Sequence, residues 1–141
     1  MSQENVKLVR RAFAAFAGSV DEDEFERRFA DANLDRFFDP EVEWVPVSQS
    51  LLASGGYQGY EGIRRFWTEF LSIWEEYAVE LQEIVDAGGQ VVAVMRMTGR
   101  THGVDVDELW SSLHTLRNGR IVRVQNFASP RCAFEAAGLG E

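Results

Sequence analysis

The side chains best suited to chemistry in this sequence are Ser111, His114 and Asn126, all within residues 109–128. A histidine that is oriented by a carboxylate and enclosed in a cavity can act as a general base. The hydroxyl of serine and the amide of asparagine can orient a ligand's carbonyl or hydroxyl, but neither group is a strong base at neutral pH. Ser111 and Asn126 therefore favour binding or mild polarisation of a substrate. The three residues are candidates for catalysis, and no firm catalytic assignment is made.

Each candidate also has a purely structural interpretation. His114 can instead be a surface or interface histidine. Ser111 and Asn126 can instead bond to each other or to a buried water, because a buried polar group is costly when it is left unpaired. His102 lies near Asp105 and Asp107, but its position in a predicted turn and the lack of further ligands argue against a metal site. We therefore predict no metal.

The same stretch predicts a β-hairpin that would position these side chains. Asn118-Gly119 is its two-residue turn, since a type I′ turn needs two residues that accept positive φ. A tight turn fixes the register, and register decides which side chains share a face. Counting from the turn places Ser111 opposite Asn126 and His114 opposite Arg123.

The two faces of this hairpin differ in composition, which predicts their orientation. The face that is mostly small and apolar is expected to point to the core, and it comprises Leu109, Ser111, Leu113, Thr115, Val122, Val124, Asn126 and Ala128. The face that mixes aromatic and polar groups is expected to point to water or a partner chain, and it comprises Trp110, Ser112, His114, Leu116, Ile121, Arg123, Gln125 and Phe127. A bulge in either strand would exchange the faces locally.

Elsewhere the chain predicts helices early and strands late. Apolar spacing indicates helices over 3–17, over 60–74 and over 131–137, and a kinked helical segment over 21–38. Strands are predicted over 42–47, 77–85 and 90–101, before the hairpin. A long loop rich in serine and glycine, SQSLLASGGYQGYEG, is typical of the mouth of a site. This order predicts an α+β fold in which a curved, mostly antiparallel sheet wraps helices 3–17 and 60–74.

A ligand site can be assembled from these elements, because an apolar cavity with a few convergent polar groups is the usual form of a small-molecule site. Aromatic residues and one methionine would form its walls, and two tyrosines its mouth. The same aromatic stripe on helix 60–74 is alternatively plain core. The predicted substrate-binding residues are Trp44, Tyr57, Tyr60, Phe66, Trp67, Phe70, Met97, Ser111 and Asn126.

Length, charge and cysteine content bound the remaining possibilities. The 141 residues suit a single domain over 1–141, and the net charge of −9 opposes nucleic acid or an anionic membrane as partner. The single cysteine, Cys132, excludes an internal disulfide and fits a reducing compartment. No apolar run is long enough to span a bilayer, and the N-terminus lacks the apolar stretch of a signal peptide. We therefore predict a cytoplasmic protein.

Five segments together resemble the SnoaL-like domain of the nuclear transport factor 2-like superfamily, and they are ENVKLVRRAFAAF, FFDPEVEW, YQGYEGIRRFW, HTLRNGRIVRV and AFEAAGL. The resemblance covers nearly the whole chain, with a longer acidic segment near 19–30 than is usual. It implies a cone-shaped α+β barrel, commonly dimeric, with a pocket between the helices and the concave side of the sheet. Relatives include polyketide cyclases, ketosteroid isomerases, limonene epoxide hydrolases and scytalone dehydratases, so the fold alone does not settle the function.

The catalytic residues of these enzymes do not carry over. By approximate alignment, the isomerase's base, tyrosine and oxyanion acid fall at Trp44, Ala12 and Ser111, and none of these can perform that chemistry. The Asp-Arg-Asp pattern of the epoxide hydrolases and the paired histidines and acids of the dehydratases and cyclases find no clear match either. The resemblance thus supports a pocket, and it transfers no mechanism.

Two functions follow as expectations. The first is a pocket protein for a hydrophobic or polyketide-like compound, with isomerisation, cyclisation or dehydration that needs no cofactor. The second is a non-catalytic, dimeric ligand-binding or interaction module whose cone is filled by its own aromatic residues. A homodimer through the outer sheet face is expected in addition, because an apolar patch is predicted there from Trp110, Leu116, Ile121 and Phe127.

Overall fold

Helices dominate the first half of the chain and strands the second. The computed structural model describes residues 2–15, 18–19, 21–31, 33–47 and 57–139. Its helices are α1 (Ser2–Ala14), α2 (Glu22–Asp31), a 3-10 helix (Leu34–Arg36), α3 (Gly59–Leu71) and α4 (Pro130–Ala136). Its strands are β1 (Gly18–Ser19), β2 (Phe38–Val45), β3 (Tyr57–Gln58), β4 (Glu76–Asp86), β5 (Gln90–Thr101), β6 (Val104–Arg117) and β7 (Arg120–Phe127).

The described strands form one sheet in the order β1-β4-β5-β6-β7-β2-β3. Strands β4 to β7 follow one another as an antiparallel meander, while β2 lies parallel to β7. The sheet is curved and does not close on itself. The predicted α+β class and the mostly antiparallel sheet are therefore confirmed.

One face of the sheet, here called the inner face, packs against the helices. Val9 of α1 and Phe66 of α3 join a buried cluster with Val91 of β5, Ile121 of β7 and Trp44 of β2. A second buried cluster joins Phe25 of α2 and Leu71 of α3 to Tyr77 and Met97 on the sheet. The inner face thus holds most of the buried aromatic residues of the described chain.

The opposite face, here called the outer face, is covered in part by α4. Ala133 of this helix packs with Val92 and Leu113, and Phe127 lies against the same cluster. The Ser129 hydroxyl accepts a hydrogen bond from the backbone N–H of Cys132 and so caps the helix. Strand β5 is therefore buried on both faces where α4 covers it, and residues 91–94 are buried without alternation.

The predicted hairpin forms, and its turn has the predicted chemistry. Asn118 and Gly119 adopt φ values of 55° and 76°, as a type I′ turn requires. Beyond the first two pairs, however, the register shifts: Leu116 pairs with Ile121, but Thr115 pairs with Arg123. Val122 is the extra residue of a β-bulge, and every later pair of the hairpin is displaced by one position.

The predicted orientation was wrong for β6 and for Ile121, whereas Val124 and Asn126 of β7 lie on the inner face as predicted. Ser111 and Leu113 lie on the outer face, where Leu113 packs against α4. His114 lies on the inner face, where its ring contacts Phe13 of α1 at a centroid distance of 5.8 Å. The bulge broke the predicted pairing, because Asn126 lies opposite Ser112 and not opposite Ser111. The error for β6 arose because α4 buries the outer face, so burial no longer distinguishes the two sides.

The prediction of an apolar patch on the outer face, which suggested a dimer, is also wrong. Trp110, Leu116 and Ile121 pack on the inner side, and Ile121 is fully buried. Phe127 is on the outer face but lies in the cluster covered by α4. The surface proposed for the homodimer therefore does not exist in that form. The homodimer itself stays a prediction.

One element boundary that matters for the site differs from the prediction. Helix α3 ends at Leu71 and not at Trp74, because the Ser72 hydroxyl bonds to the Glu69 carbonyl and the Glu75 N–H bonds to Arg100 of β5. The kink predicted near Asn33 is present, as α2 ends at Asp31 and a 3-10 helix begins at Leu34. Most of the predicted serine- and glycine-rich loop, residues 48–56, lies outside the described residues.

Candidate functional site

Polar side chains gather on the inner face where β6, β7 and β2 run side by side. Ser112 lies opposite Asn126, and His114 lies opposite Val124, which in turn lies opposite Trp44. Ser112 and His114 are two residues apart on one strand, so they share a face and are about 7 Å apart along it. We call Ser112, His114 and the indole N–H of Trp44 the inner polar cluster.

The polar atoms of this cluster are buried and unpaired. Ser112, His114 and Trp44 are 1%, 5% and 8% exposed. Within the described residues, Ser112 Oγ, His114 Nδ1 and Trp44 Nε1 have no hydrogen-bond partner. A buried polar group without a partner costs about 1–3 kcal/mol, and native proteins hold few of them. Three such atoms on one face therefore point to a partner that the protein chain does not supply.

Burial sets the protonation of His114. Removal of the imidazole from water lowers its pKa to about 4, and a hydrogen bond with the Val91 backbone opposes that shift. The ring is therefore neutral at pH 7.

Asn126 has a different task from the one predicted. Its Nδ2 donates to the Val45 carbonyl at 2.9 Å, which ties β7 to the last residue of β2. Val45 is followed by Pro46, whose nitrogen has no hydrogen to continue a ladder of hydrogen bonds. Asn126 thus holds the end of β2 in place beside the inner polar cluster.

Aromatic rings surround this cluster on the helix side. Trp44 contacts Phe66 and Trp67 at centroid distances of 5.4 and 6.1 Å. Phe70 lies one turn further along α3 and stacks on Phe66 at 5.5 Å. The four predicted wall residues Trp44, Phe66, Trp67 and Phe70 are therefore brought together, as the spacing of α3 indicated.

The other predicted binding residues are spread more widely. Tyr57 is buried against Phe66, and its hydroxyl donates to the Glu69 carboxylate. The Tyr60 hydroxyl donates to the Phe38 carbonyl at 2.9 Å. Met97 belongs to the second buried cluster, with Phe25 and Tyr77. Both tyrosine hydroxyls are thus occupied by bonds within the chain.

Ser111 does not join the site. It is 1% exposed on the outer face, and its hydroxyl donates to the Ser129 carbonyl at 2.6 Å. The residue that sequence reasoning missed is its neighbour Ser112, which lies on the inner face and has no partner. The available signal was the Ser-Ser pair itself, since one of two adjacent strand residues must face each side.

Two surface depressions are lined by described residues, and both lie outside the inner polar cluster. One, of about 620 Å³, is on the exposed side of α3 beside α2 and includes Glu26, Arg64 and Thr68. The other, of about 340 Å³, is on β4–β6 and includes Ala78 and Thr98. Neither contains a residue of the predicted substrate-binding set.

The described residues form no group of three or more histidine, cysteine, aspartate or glutamate side chains that could hold a metal ion. His102, which lies near two aspartates in sequence, is exposed in the turn between β5 and β6. In the part of the chain that the structure describes, no helix has the length and apolar character needed to cross a membrane.

Comparison with known proteins gives consistent matches. A model of the SnoaL-like domain matches residues 9–124. An uncharacterised protein of Mycobacterium tuberculosis is 30% identical over 136 residues, which are 94% of each chain. A nuclear transport factor 2-like protein of unknown function from Burkholderia pseudomallei has a TM-score of 0.69 at 18% identity, covering 94% of this chain and 95% of that one. A protein named as a SnoaL-like polyketide cyclase from Jannaschia has a TM-score of 0.65 at 20% identity, covering 89% and 85%. These structures show the shared fold.

Proposed function

This chain belongs to the SnoaL-like domain family, and we propose that it binds a small hydrophobic, polyketide-like molecule against the inner face of its sheet. Membership of this family supports a role in small-molecule binding or in cyclase- or isomerase-type chemistry. The observation that carries the proposal is the inner polar cluster, three buried and unpaired polar atoms beside aromatic rings.

The energetics favour a ligand at this position. Each unpaired atom costs the folded protein about 1–3 kcal/mol, and a ligand that pairs with it recovers part of that cost on binding. The rings of Trp44, Phe66 and Trp67 supply the apolar contact area that dominates most small-molecule sites. The unpaired polar atoms on the same face then orient the molecule against that area.

Binding is better supported than any one reaction. His114 is the only inner-cluster residue that could exchange a proton, but burial makes it a weak base. Among the described residues, no carboxylate contributes to the pKa of His114, so no acid holds its ring for catalysis. Isomerisation, cyclisation or dehydration without a metal or cofactor is the chemistry that this site would support as a second step after binding.

A second candidate function is a non-catalytic module with a filled cone. Close ring packing favours it, since Phe66, Trp67 and Phe70 contact one another at centroid distances of 5.4–5.5 Å. The two described depressions also lie elsewhere. The two candidates differ in whether a small molecule reaches Trp44.

The test uses the indole N–H groups of the four tryptophans as reporters in a ¹H–¹⁵N NMR spectrum. The peaks are assigned with single Trp→Phe variants, and 4-phenylbutan-2-one is titrated as a neutral, apolar ketone. Binding at the inner polar cluster is expected to shift the Trp44 peak most. The Trp110 peak serves as an internal reference, because its Nε1 already donates to Glu108 at 2.8 Å. A Trp44 peak that stays in place at millimolar ketone would favour the filled-cone module and reject the proposed site.

A further inference from the structure

We infer that the outward edge of strand β6 between Val104 and Trp110 binds an extended segment of a partner protein in which basic and apolar residues alternate. This surface, here called the β6 edge, is separate from the inner polar cluster and lies beyond the proposed function. The partner segment adds one strand to the sheet beside β6, through main-chain hydrogen bonds that supply affinity and side chains that supply specificity.

The β6 edge has no neighbouring strand within the described residues. Strand β6 pairs with β5 from Val104 to Thr115, but its pairing with β7 stops at Ser111 and Phe127. After Phe127 the chain leaves the sheet and enters α4. Residues 104–110 therefore have a strand on one side only.

The register shows which main-chain groups point out of this edge. The two-residue turn over 102–103 has φ values of 53° and 75°, and the pair that flanks such a turn is hydrogen-bonded. Val104 and every second residue after it therefore bond to β5. Leu116 has the same parity, and its N–H indeed donates to Gly89 on the β5 side. The N–H and C=O groups that point away from β5 belong to Asp105, Asp107 and Leu109.

These outward groups are exposed and unused. All three residues are exposed, and Leu109 keeps 48% of its surface accessible. No group of the described chain forms a hydrogen bond with their main-chain N–H or C=O on this side. An exposed strand edge is a template for a further strand. Because each of the three residues offers one donor and one acceptor, an added antiparallel strand can form up to six main-chain hydrogen bonds.

The side chains of the β6 edge alternate between the two faces, which sets the sequence pattern of the partner. Asp105 and Asp107 lie on the outer face, whereas Val106 and Trp110 lie on the inner side and pack on the second buried cluster. An added strand has the same alternation. Basic residues would therefore lie beside the aspartates and apolar residues beside Val106 and Trp110.

The charge around the edge favours a basic segment. The side chains of Asp105 and Asp107 remain 80% and 56% exposed although they pair with Arg100 and Arg96. These two arginines also lie opposite acids of β4, namely Glu76 and Glu80. Acidic groups therefore outnumber basic ones on this part of the outer face, and a segment that carries cations is attracted to it.

A second copy of the chain is a poor occupant of the same edge. Two β6 edges related by a twofold axis pair most fully in registers centred on residues 106, 107 or 108. These registers place Asp105 opposite Asp107, Asp107 opposite itself, or Glu108 opposite itself. Like charges directly opposite each other destabilise a strand pair. The acidic side chains thus keep copies apart, and they leave the edge open to a basic segment.

The test titrates the peptide KVKVKVK, capped at both ends, into ¹⁵N-labelled protein at low ionic strength. Binding is expected with a dissociation constant at or below about 1 mM. The largest amide shifts are expected at Asp105, Asp107 and Leu109, because their N–H groups gain hydrogen bonds. The peptide EVEVEVE is the matched control for charge, and it is expected not to bind.

Two N-methylated peptides separate strand addition from charge attraction alone. The lysines would lie on the same face as Asp105 and Asp107, so their main-chain N–H groups are the ones that bond to β6. Methylation of the lysine nitrogens is therefore expected to abolish binding. Methylation of the valine nitrogens leaves the charge and the bonding edge intact, so affinity is expected to stay within about twofold.

Three variants of the protein assign the contacts. Leu109→Pro removes one outward N–H and keeps both arginine–aspartate pairs, so binding is expected to weaken about tenfold. Leu109→Ala is its matched control, because it keeps the N–H, and its affinity is expected to stay within about twofold. Glu108→Gln removes an exposed charge that no described cation pairs with, so a two- to fivefold loss is expected at low ionic strength.

Several outcomes would overturn the inference. Equal binding of the two N-methylated peptides would indicate charge attraction without an added strand. Amide peaks of the β6 edge that stay in place at millimolar KVKVKVK would show that the edge does not accept a strand. Sedimentation that shows a dimer of the wild type but not of Leu109→Pro would identify a second copy as the occupant. None of these results bears on the inner polar cluster, whose ketone titration tests the proposed function independently.

Discussion

Ser111 and Ser112 are adjacent, chemically identical and equally buried at 1% exposure, yet they face opposite sides of the sheet. On the outer side, Ser111 donates to the Ser129 carbonyl and fastens the start of α4 to β6. On the inner side, Ser112 has no partner among the described residues. Burial alone therefore does not distinguish the serine that serves the fold from the one proposed to bind a ligand, whereas the presence of a partner does.

The same contrast extends to the two faces as a whole. Four buried side-chain polar atoms lack a partner in the described residues, and they belong to Trp44, Trp74, Ser112 and His114. All four lie on the inner side, by strand register or by packing in the inner clusters. The outer face instead satisfies its buried serine within the chain. Stability alone does not explain why the unpaired polar atoms are confined to the inner side.

The prediction with the largest expected effect concerns Gly99. It tests how tightly the apolar part of the inner face is packed. A Cβ added at Gly99 of β5 would collide with the Glu76 carbonyl oxygen and approach the Trp74 ring to 3.0 Å. Gly99→Ala is therefore expected to lower the free energy of unfolding by about 3 kcal/mol, the upper part of the range for overpacking. Gly89→Ala is the control, because nothing lies within 4 Å of a Cβ there. Urea denaturation of both variants measures the difference. Equal stabilities would mean that the inner face is loosely packed, and the burial of its unpaired polar atoms would then not indicate a ligand.

The next effect tests the burial of His114 through pH. Its pKa is about 4 when folded and 6.5 when unfolded, so the unfolded chain binds the extra proton first as pH falls. Stability from this residue is complete above pH 6.5 and is lost progressively toward pH 4. Between pH 7 and pH 5 the wild type is expected to lose about 2 kcal/mol more unfolding free energy than His114→Phe.

The control for this pH measurement is His102→Asn, which alters the exposed histidine in the β5–β6 turn. Asparagine tolerates the positive φ of 53° at that position, so folding should be preserved. Its unfolding is measured over the same pH range as that of the wild type and His114→Phe. A His114→Phe variant with the same pH dependence as the wild type would show that the imidazole is accessible to water.

The prediction with the smallest expected effect compares the stabilities of alanine variants at Ser111 and Ser112. Ser111→Ala removes a hydrogen bond and leaves the Ser129 carbonyl without its partner, so a loss of about 1 kcal/mol is expected. Ser112→Ala removes a buried hydroxyl that has no partner, so stability is expected to stay the same or to rise slightly. Thermal unfolding of the two variants in the same buffer measures which of them is more stable. The reverse order would assign the structural role to Ser112 and remove the basis of the contrast.

Much of the fold could be predicted from the sequence, because local signals are strong. The spacing of Phe66, Trp67 and Phe70 places them on one side of α3, and Asn118-Gly119 specifies the hairpin turn. The orientation of Ser111 and its pairing could not be predicted in the same way. It depends on the bulge at Val122 and on α4, which lies across the outer face and buries Leu113. Both features are tertiary, and neither leaves a periodic signal in β6.

The bulge at Val122 also has an evolutionary consequence. Deleting that one residue would restore an uninterrupted ladder without changing the later pairs, so Val124 would stay opposite His114 and Asn126 opposite Ser112 in the interior. Loss of this single codon would therefore leave the interior residues of β7 on the same face. If a homologous hairpin lacks this extra residue and is aligned without a gap, its interior residues are assigned to the surface.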